Sequence, residues 1–77
     1  MTEQEWRKEF GHRLQQKSRG KCRYLKVDLA EASGLSPKTV GRYMRGERVP
    51  DAINLRKLAK ALNCTIDELL PDEEITE

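Results

Sequence analysis

Apolar positions recur at helical spacing along almost the whole chain. Trp6, Phe10 and Leu14 fall every fourth residue and form one stripe. Thr2 and Glu5 before them make a T-x-x-E capping box, so a first helix is expected from Thr2, fading near Lys17 or Ser18 ahead of Gly20. A second helix is expected over Lys26–Ser33, with Leu29 and Ala30 facing inward and Val27 without an assigned role. Gly34 follows, a residue that turns left-handed at no steric cost, then the apolar plug Leu35. Ser36 suits an N-cap and Pro37 the first helical position, so a third helix starts there and runs to Arg45 before Gly46. Its apolar residues Val40, Tyr43 and Met44 share one side. Asp51 caps a fourth helix with Ile53 or Leu55, then Leu58, Ala59 and Leu62, on the buried face, and Asn63 suits its end. Thr65 and Glu68 form a second capping box, opening a short helix with Ile66, Leu69 and Leu70 that Pro71 stops. No strand pattern appears, so the expected fold is all-α, five helices around one core.

Composition and length narrow the class. The 77 residues make one small domain with a thin stability margin. Residues 1–70 are expected to form the domain and 71–77, PDEEITE, an acidic, loose tail. No apolar run is long enough to cross a membrane, and the N-terminus lacks a signal-peptide core, which points to the cytoplasm. Cys22 and Cys64 match no zinc spacing and no secreted disulfide framework; two free thiols are expected, with a disulfide between them as the alternative. No phosphate loop, metal cluster or nucleophile–base set is present, so neither an enzyme nor a cofactor or metal is expected.

The net charge of +2 conceals an uneven distribution. Residues 1–10 carry −1, residues 11–26 carry +6 with no acid, residues 27–50 carry +1, and residues 51–77 carry −4. One end attracts polyanions and the other repels them, which orients the molecule on a phosphate backbone. The third helix adds to this. Opposite its apolar side stand Lys38, Thr39, Gly41, Arg42 and Arg45. A short helix with a small and basic outer face, propped across another by a Gly turn, has the form of a DNA-reading helix-turn-helix.

The pattern LA-x-x-x-G-L-S-x-x-T-V-x-x-x-x-x-G-x-x-x-P, Leu29 to Pro50, resembles the Cro/cI-like or XRE family of phage-repressor helix-turn-helix domains. LRKLAKALNCTIDELL, Leu55–Leu70, is similar to that family's fourth and fifth helices, and the resemblance covers roughly Phe10 to Leu70. It implies a lambda-repressor-like fold with the helix-turn-helix at helices 2 and 3. The sequence departs from the family where KSRGKCRY makes a longer first connection. It departs again where Leu25 replaces the usual Thr or Ser cap and Lys26 stands where a phosphate-contacting Gln is common.

Three roles are expected of the surface. Base reading falls to Pro37, Lys38, Thr39, Gly41 and Arg42, since Arg and Lys donate to guanine O6 and N7 while a Thr methyl or Pro ring meets a thymine methyl. Phosphate contact falls to Lys26, Ser36, Arg45 and Arg48, with Arg19, Lys21, Arg23 and Tyr24 from the basic loop. Family members commonly pair after helix four, so self-association falls to Ile66, Leu69, Leu70 and Ile75, with core closure as the alternative for Ile66 and Leu69. The expected function is a sequence-specific regulator of transcription, a repressor of phage, mobile-element or bacterial origin. It would bind double-stranded DNA as a homodimer on an inverted-repeat operator, with no small-molecule ligand. The alternative is an antitoxin-like or anti-repressor interaction module on the same fold.

Overall fold

The structure is a computed structural model that describes residues 1–19 and 25–72, the side chains of residues 25 and 26 excepted. Among the described residues the chain forms five helices: α1 (Glu3–Arg19), α2 (Leu25–Ser33), α3 (Pro37–Met44), α4 (Ala52–Ala61) and α5 (Ile66–Leu69). The boundaries follow from local chemistry. Thr2 and Glu5 exchange backbone-to-side-chain hydrogen bonds of 3.2 Å each, closing the expected capping box. Asp51 accepts from the Asn54 amide at 2.8 Å, and the Thr65–Glu68 box is closed at both bonds.

Three helices end in the same way. Gly34 (φ 77°), directly after α2, and Gly46 (φ 75°) and Asn63 (φ 52°), two residues past α3 and α4, each take the left-handed conformation. In each case two amides turn back onto the last carbonyls: Gly34 and Leu35 onto Glu31 and Ala30, Gly46 and Glu47 onto Tyr43 and Arg42, Asn63 and Cys64 onto Lys60 and Ala59. These are paired Schellman bonds, which satisfy carbonyls that a helix end otherwise leaves open. Asn tolerates this backbone better than other side chains because its short amide bonds locally.

The core gathers one or two positions from every helix. Phe10 and Leu14 of α1, Leu29 of α2, Val40 of α3, Leu58 of α4, Leu62 just beyond it and Leu69 of α5 are all fully buried. Each such side chain contributes about 1.5–3 kcal/mol relative to exposure. Trp6 stacks on Phe10 with ring centroids 5.8 Å apart and an interplanar angle of 4°, extending the stripe outward. Ala30 is buried where α2 meets its neighbours, and Leu35 packs under the turn. On α4 the inward residue is Leu55; Ile53 is 68% exposed, because Leu55 lies three before Leu58 and seven before Leu62.

Two features mark the C-terminal end of the described chain. Leu69 is core, not contact surface: α5 is one turn long and packs on both α1 and α4, so its last apolar residue closes the interior. Packing also continues past Leu70. Pro71 is buried, and Arg13 donates to the Leu70 carbonyl at 2.9 Å and to Asp72 at 3.3 Å. Ile75 lies outside the described residues, as does Cys22; Cys64 is half-buried against the core.

Candidate nucleic-acid interface

The third helix is held from three directions. Its start is set by Ser36, whose hydroxyl oxygen accepts from the Thr39 amide at 3.1 Å, with Pro37 in the first turn. Its last turn is held by Asn54 of α4, which donates to the Tyr43 hydroxyl at 3.0 Å, the Tyr43 ring being almost fully buried. Its end is held by α1, where Gln15 donates to the Met44 carbonyl at 3.0 Å. Gly11 is the reason α1 comes this near: a Cβ there would stand 2.5 Å from the Met44 carbonyl oxygen and 2.6 Å from that of Tyr43. Lys8 crowds Gly46 less severely, where an added Cβ would lie 3.0 Å from the Lys8 Cα. Gly11, Gln15 and Asn54 were not among the residues singled out in the sequence. Gly11 had one visible signal, an isolated Gly inside a helical pattern beside the Phe10–Leu14 stripe; the two amides had none.

Held in this way, α3 turns Val40 and Tyr43 inward and leaves Pro37 and Lys38 exposed, with Thr39 and Arg42 half-exposed. Lys38 and Arg42 lie four residues apart and so project together. Gly41 is a correction. It is buried, not on the outer face, because it lies only about 60° around the helix from Met44 and falls on the flank of the packed side. It offers nothing to a base edge.

The expected phosphate contacts separate into distinct cases. Arg48 is exposed and forms no ion pair among the described residues. Arg45 is exposed but donates to the Glu47 carboxylate. That bond, with the charges of Arg45 and Arg42 and against a small opposing burial, holds Glu47 below the usual carboxylate range. Ser36 donates its own proton to the Thr39 hydroxyl at 2.8 Å, so its side chain serves the cap on both counts. Arg19 is exposed at the end of α1. Lys26 belongs to the first turn of α2. Lys21, Arg23 and Tyr24 lie outside the described residues, as does the Lys26 side chain. Lys17 faces Glu68 of α5 at 3.8 Å. His12 is exposed.

A Gly-turned helix pair with a basic outer face, its second helix capped at its start and bonded to other helices at its end, is the fold and site of a helix-turn-helix DNA-binding regulator of transcription. The chain belongs to the XRE-type helix-turn-helix family HTH_3, which matches residues 16–69. The chain is 37% identical over 51 residues to the uncharacterized HTH-type transcriptional regulator YazB of Bacillus subtilis (strain 168), covering 66% of this chain and 74% of that protein. The fold is similar to the crystal structure of the restriction-modification controller protein C.AhdI from Aeromonas hydrophila. The TM-score is 0.78 at 36% identity, covering 83% of this chain and 96% of that one. Among the described residues no helix is long and apolar enough to cross a membrane.

Proposed function

We propose that the protein is a cytoplasmic repressor that binds an inverted-repeat operator as a homodimer. Lys38, Thr39 and Arg42 of α3, with the Pro37 ring at its start, read base edges, and Arg48 and the basic residues at the end of α1 and the start of α2 position the phosphates. The observation that carries this reading is the orientation of α3. Its buried side is occupied by Val40 and Tyr43, its start is capped by Ser36 and its last two residues are bonded to α4 and α1, so Lys38 and Arg42 are presented on a rigid element. The likeness to a restriction-modification controller and to a transcriptional regulator supports a regulatory role of this kind.

Two copies are required by information content. One recognition helix reads only a few base pairs, and dimers of this architecture place two of them in successive major grooves, roughly 34 Å apart along the duplex. With Leu69 taken into the core, Ile66 and Leu70 remain half-exposed on α5, and Ile53 stands exposed on α4. Occupying an operator is enough to exclude other proteins from it, which makes repression the simplest outcome. Selection from random-sequence duplexes, followed by sequencing and by sedimentation of the complex, tests the reading. The expected result is an enriched palindrome bound by two copies. No enriched sequence, or one copy on a site without symmetry, defeats it.

A further inference from the structure

The first two turns of α1 precede the stretch that the family match covers, which begins at residue 16. By sequence they are slightly acidic, with Arg7 and Lys8 against Glu3, Glu5 and Glu9. Folding gives each acid a partner of its own. Glu3 faces Arg7 at 3.1 Å, Glu9 faces Arg13 at 3.7 Å, and Glu5 closes the cap with Thr2. Lys8 is exposed and forms no ion pair among the described residues.

Lys8 also lies against the loop that follows α3. A Cβ built on Gly46 would stand 3.0 Å from both the Cα and the Cγ of Lys8 and 3.1 Å from its amide nitrogen. A side chain at position 46 would press on the Lys8 backbone, and the left-handed conformation there (φ 75°) disfavours one as well. The loop itself holds little unpaired charge. The Glu47 carboxylate neutralises Arg45, so among the described residues Arg48 is the loop's one cation without an ion pair. Lys8 sets a second cation beside it. The placement belongs to a whole side of α1. At about 100° per residue, Lys8, Gln15 and Arg19 fall within roughly 40° of one another. Gln15 donates to the Met44 carbonyl, so this side borders the end of α3. Its two exposed cations, Lys8 and Arg19, stand about 16 Å apart along the helix.

We infer that Lys8 is a further DNA contact: its ammonium binds a backbone phosphate beside the one held by Arg48, and the bare backbone of Gly46 lets α1 come close enough to reach it. A lysine suits this task, being a compact charge on a flexible stem that binds phosphate and reads no base. The inference rests on the DNA-binding reading and adds the first turns of α1 to the surface that touches the duplex.

The test is duplex binding by full-length variants over a range of salt, with thermal melts alongside. Lys8→Met keeps the stem over Gly46 and removes the charge, so its melting temperature should match the parent's. Its affinity should fall roughly fivefold at about 0.15 M salt, equally on selected and random-sequence duplexes, and its salt slope should flatten by about one unit. Lys57→Met removes the same charge from the α4 face beside Ile66 and should leave the slope unchanged. If Lys8→Met keeps the parent's slope, or loses affinity only at particular base pairs, the phosphate contact is overturned while DNA binding stands. It is overturned too if Lys57→Met flattens the slope as much, since net charge and not contact would then be the cause. A parent that binds neither kind of duplex removes the DNA-binding reading, and the Lys8 contact with it.

Discussion

Arg42 and Arg48 sit within one turn and loop of each other, yet the structure places them differently. Arg42 projects with Lys38 from the outer side of α3, whereas Arg48 follows the left-handed turn at Gly46 and leaves the helix axis. Arg42→Ala should lose discrimination at particular base pairs, about 1–3 kcal/mol for a two-bond contact to guanine. Arg48→Ala should weaken all sequences alike and flatten the salt slope by about one unit. A binding-site matrix for each variant separates the two; the reverse pattern would mean that base reading has passed to the loop after Gly46. Gly11 makes a stability prediction of its own. Gly11→Ala drives a methyl into two backbone carbonyls of α3, neither of which can rotate away. A loss of about 1–3 kcal/mol is expected in the thermal melt, together with weaker DNA binding if α3 reads the bases as proposed, because the strain falls on that helix. The exposed basic positions of α3 and its loop were legible in the sequence, since charge and position in a helix mark them. Gly41 was misplaced because a glycine gives no hydrophobic signal, and only the contact around it shows which side it faces.

At the scale of the element, α3 is eight residues long and too short to persist alone in water. It exists because its caps and its buried side are both satisfied. Val40→Ala removes two methyl groups from a fully buried site and should cost about 2–3 kcal/mol, a fall of roughly 10 °C or more in melting temperature for a domain of this size. At a temperature where the variant remains folded, its base preferences should match the parent's. α5 depends still more on its cap. It has four residues, and the Thr65–Glu68 box supplies both of its end bonds on one side. Thr65→Ala should therefore cost about 1 kcal/mol and loosen the segment around Leu70 first, visible as faster amide exchange there.

The whole molecule adds charge effects that no single element shows. DNA affinity should fall steeply with salt, by roughly one power of concentration per phosphate contacted; a flat response would remove the electrostatic reading of the basic face. Acid acts on the fold itself. Bonds from Thr65 and the charge of Lys17 hold Glu68 below the ordinary value of 4.5, and the Thr2 bonds do the same for Glu5. A carboxylate whose folded pKa is depressed binds fewer protons folded than unfolded near that value. Its contribution is complete above the unfolded pKa and is lost as pH falls through the folded one. Melting temperature should thus hold steady down to about pH 5 and decline below it, and Glu68→Gln should show a shallower decline than the parent.

The sequence by itself determined the number and order of the helices among the described residues and the capped starts of four of them; α2, which lacks a Ser or Thr cap, starts at Leu25 instead of Lys26. Their causes are local: three- and four-residue spacing of apolar side chains, oxygen-bearing caps at Thr2, Ser36, Asp51 and Thr65, and left-handed turns at Gly34, Gly46 and Asn63. Each rule acts within a few residues and can be read without knowing what lies across the core. The tertiary structure decided what depends on distance through space. It chose Leu55 over Ile53 for the interior, buried Gly41 and Leu69, joined Gln15 to Met44 and Asn54 to Tyr43, and pinned residues 70–72 to Arg13. These outcomes turn on where one helix crosses another, and a crossing is settled by the fit of two surfaces far apart in the chain.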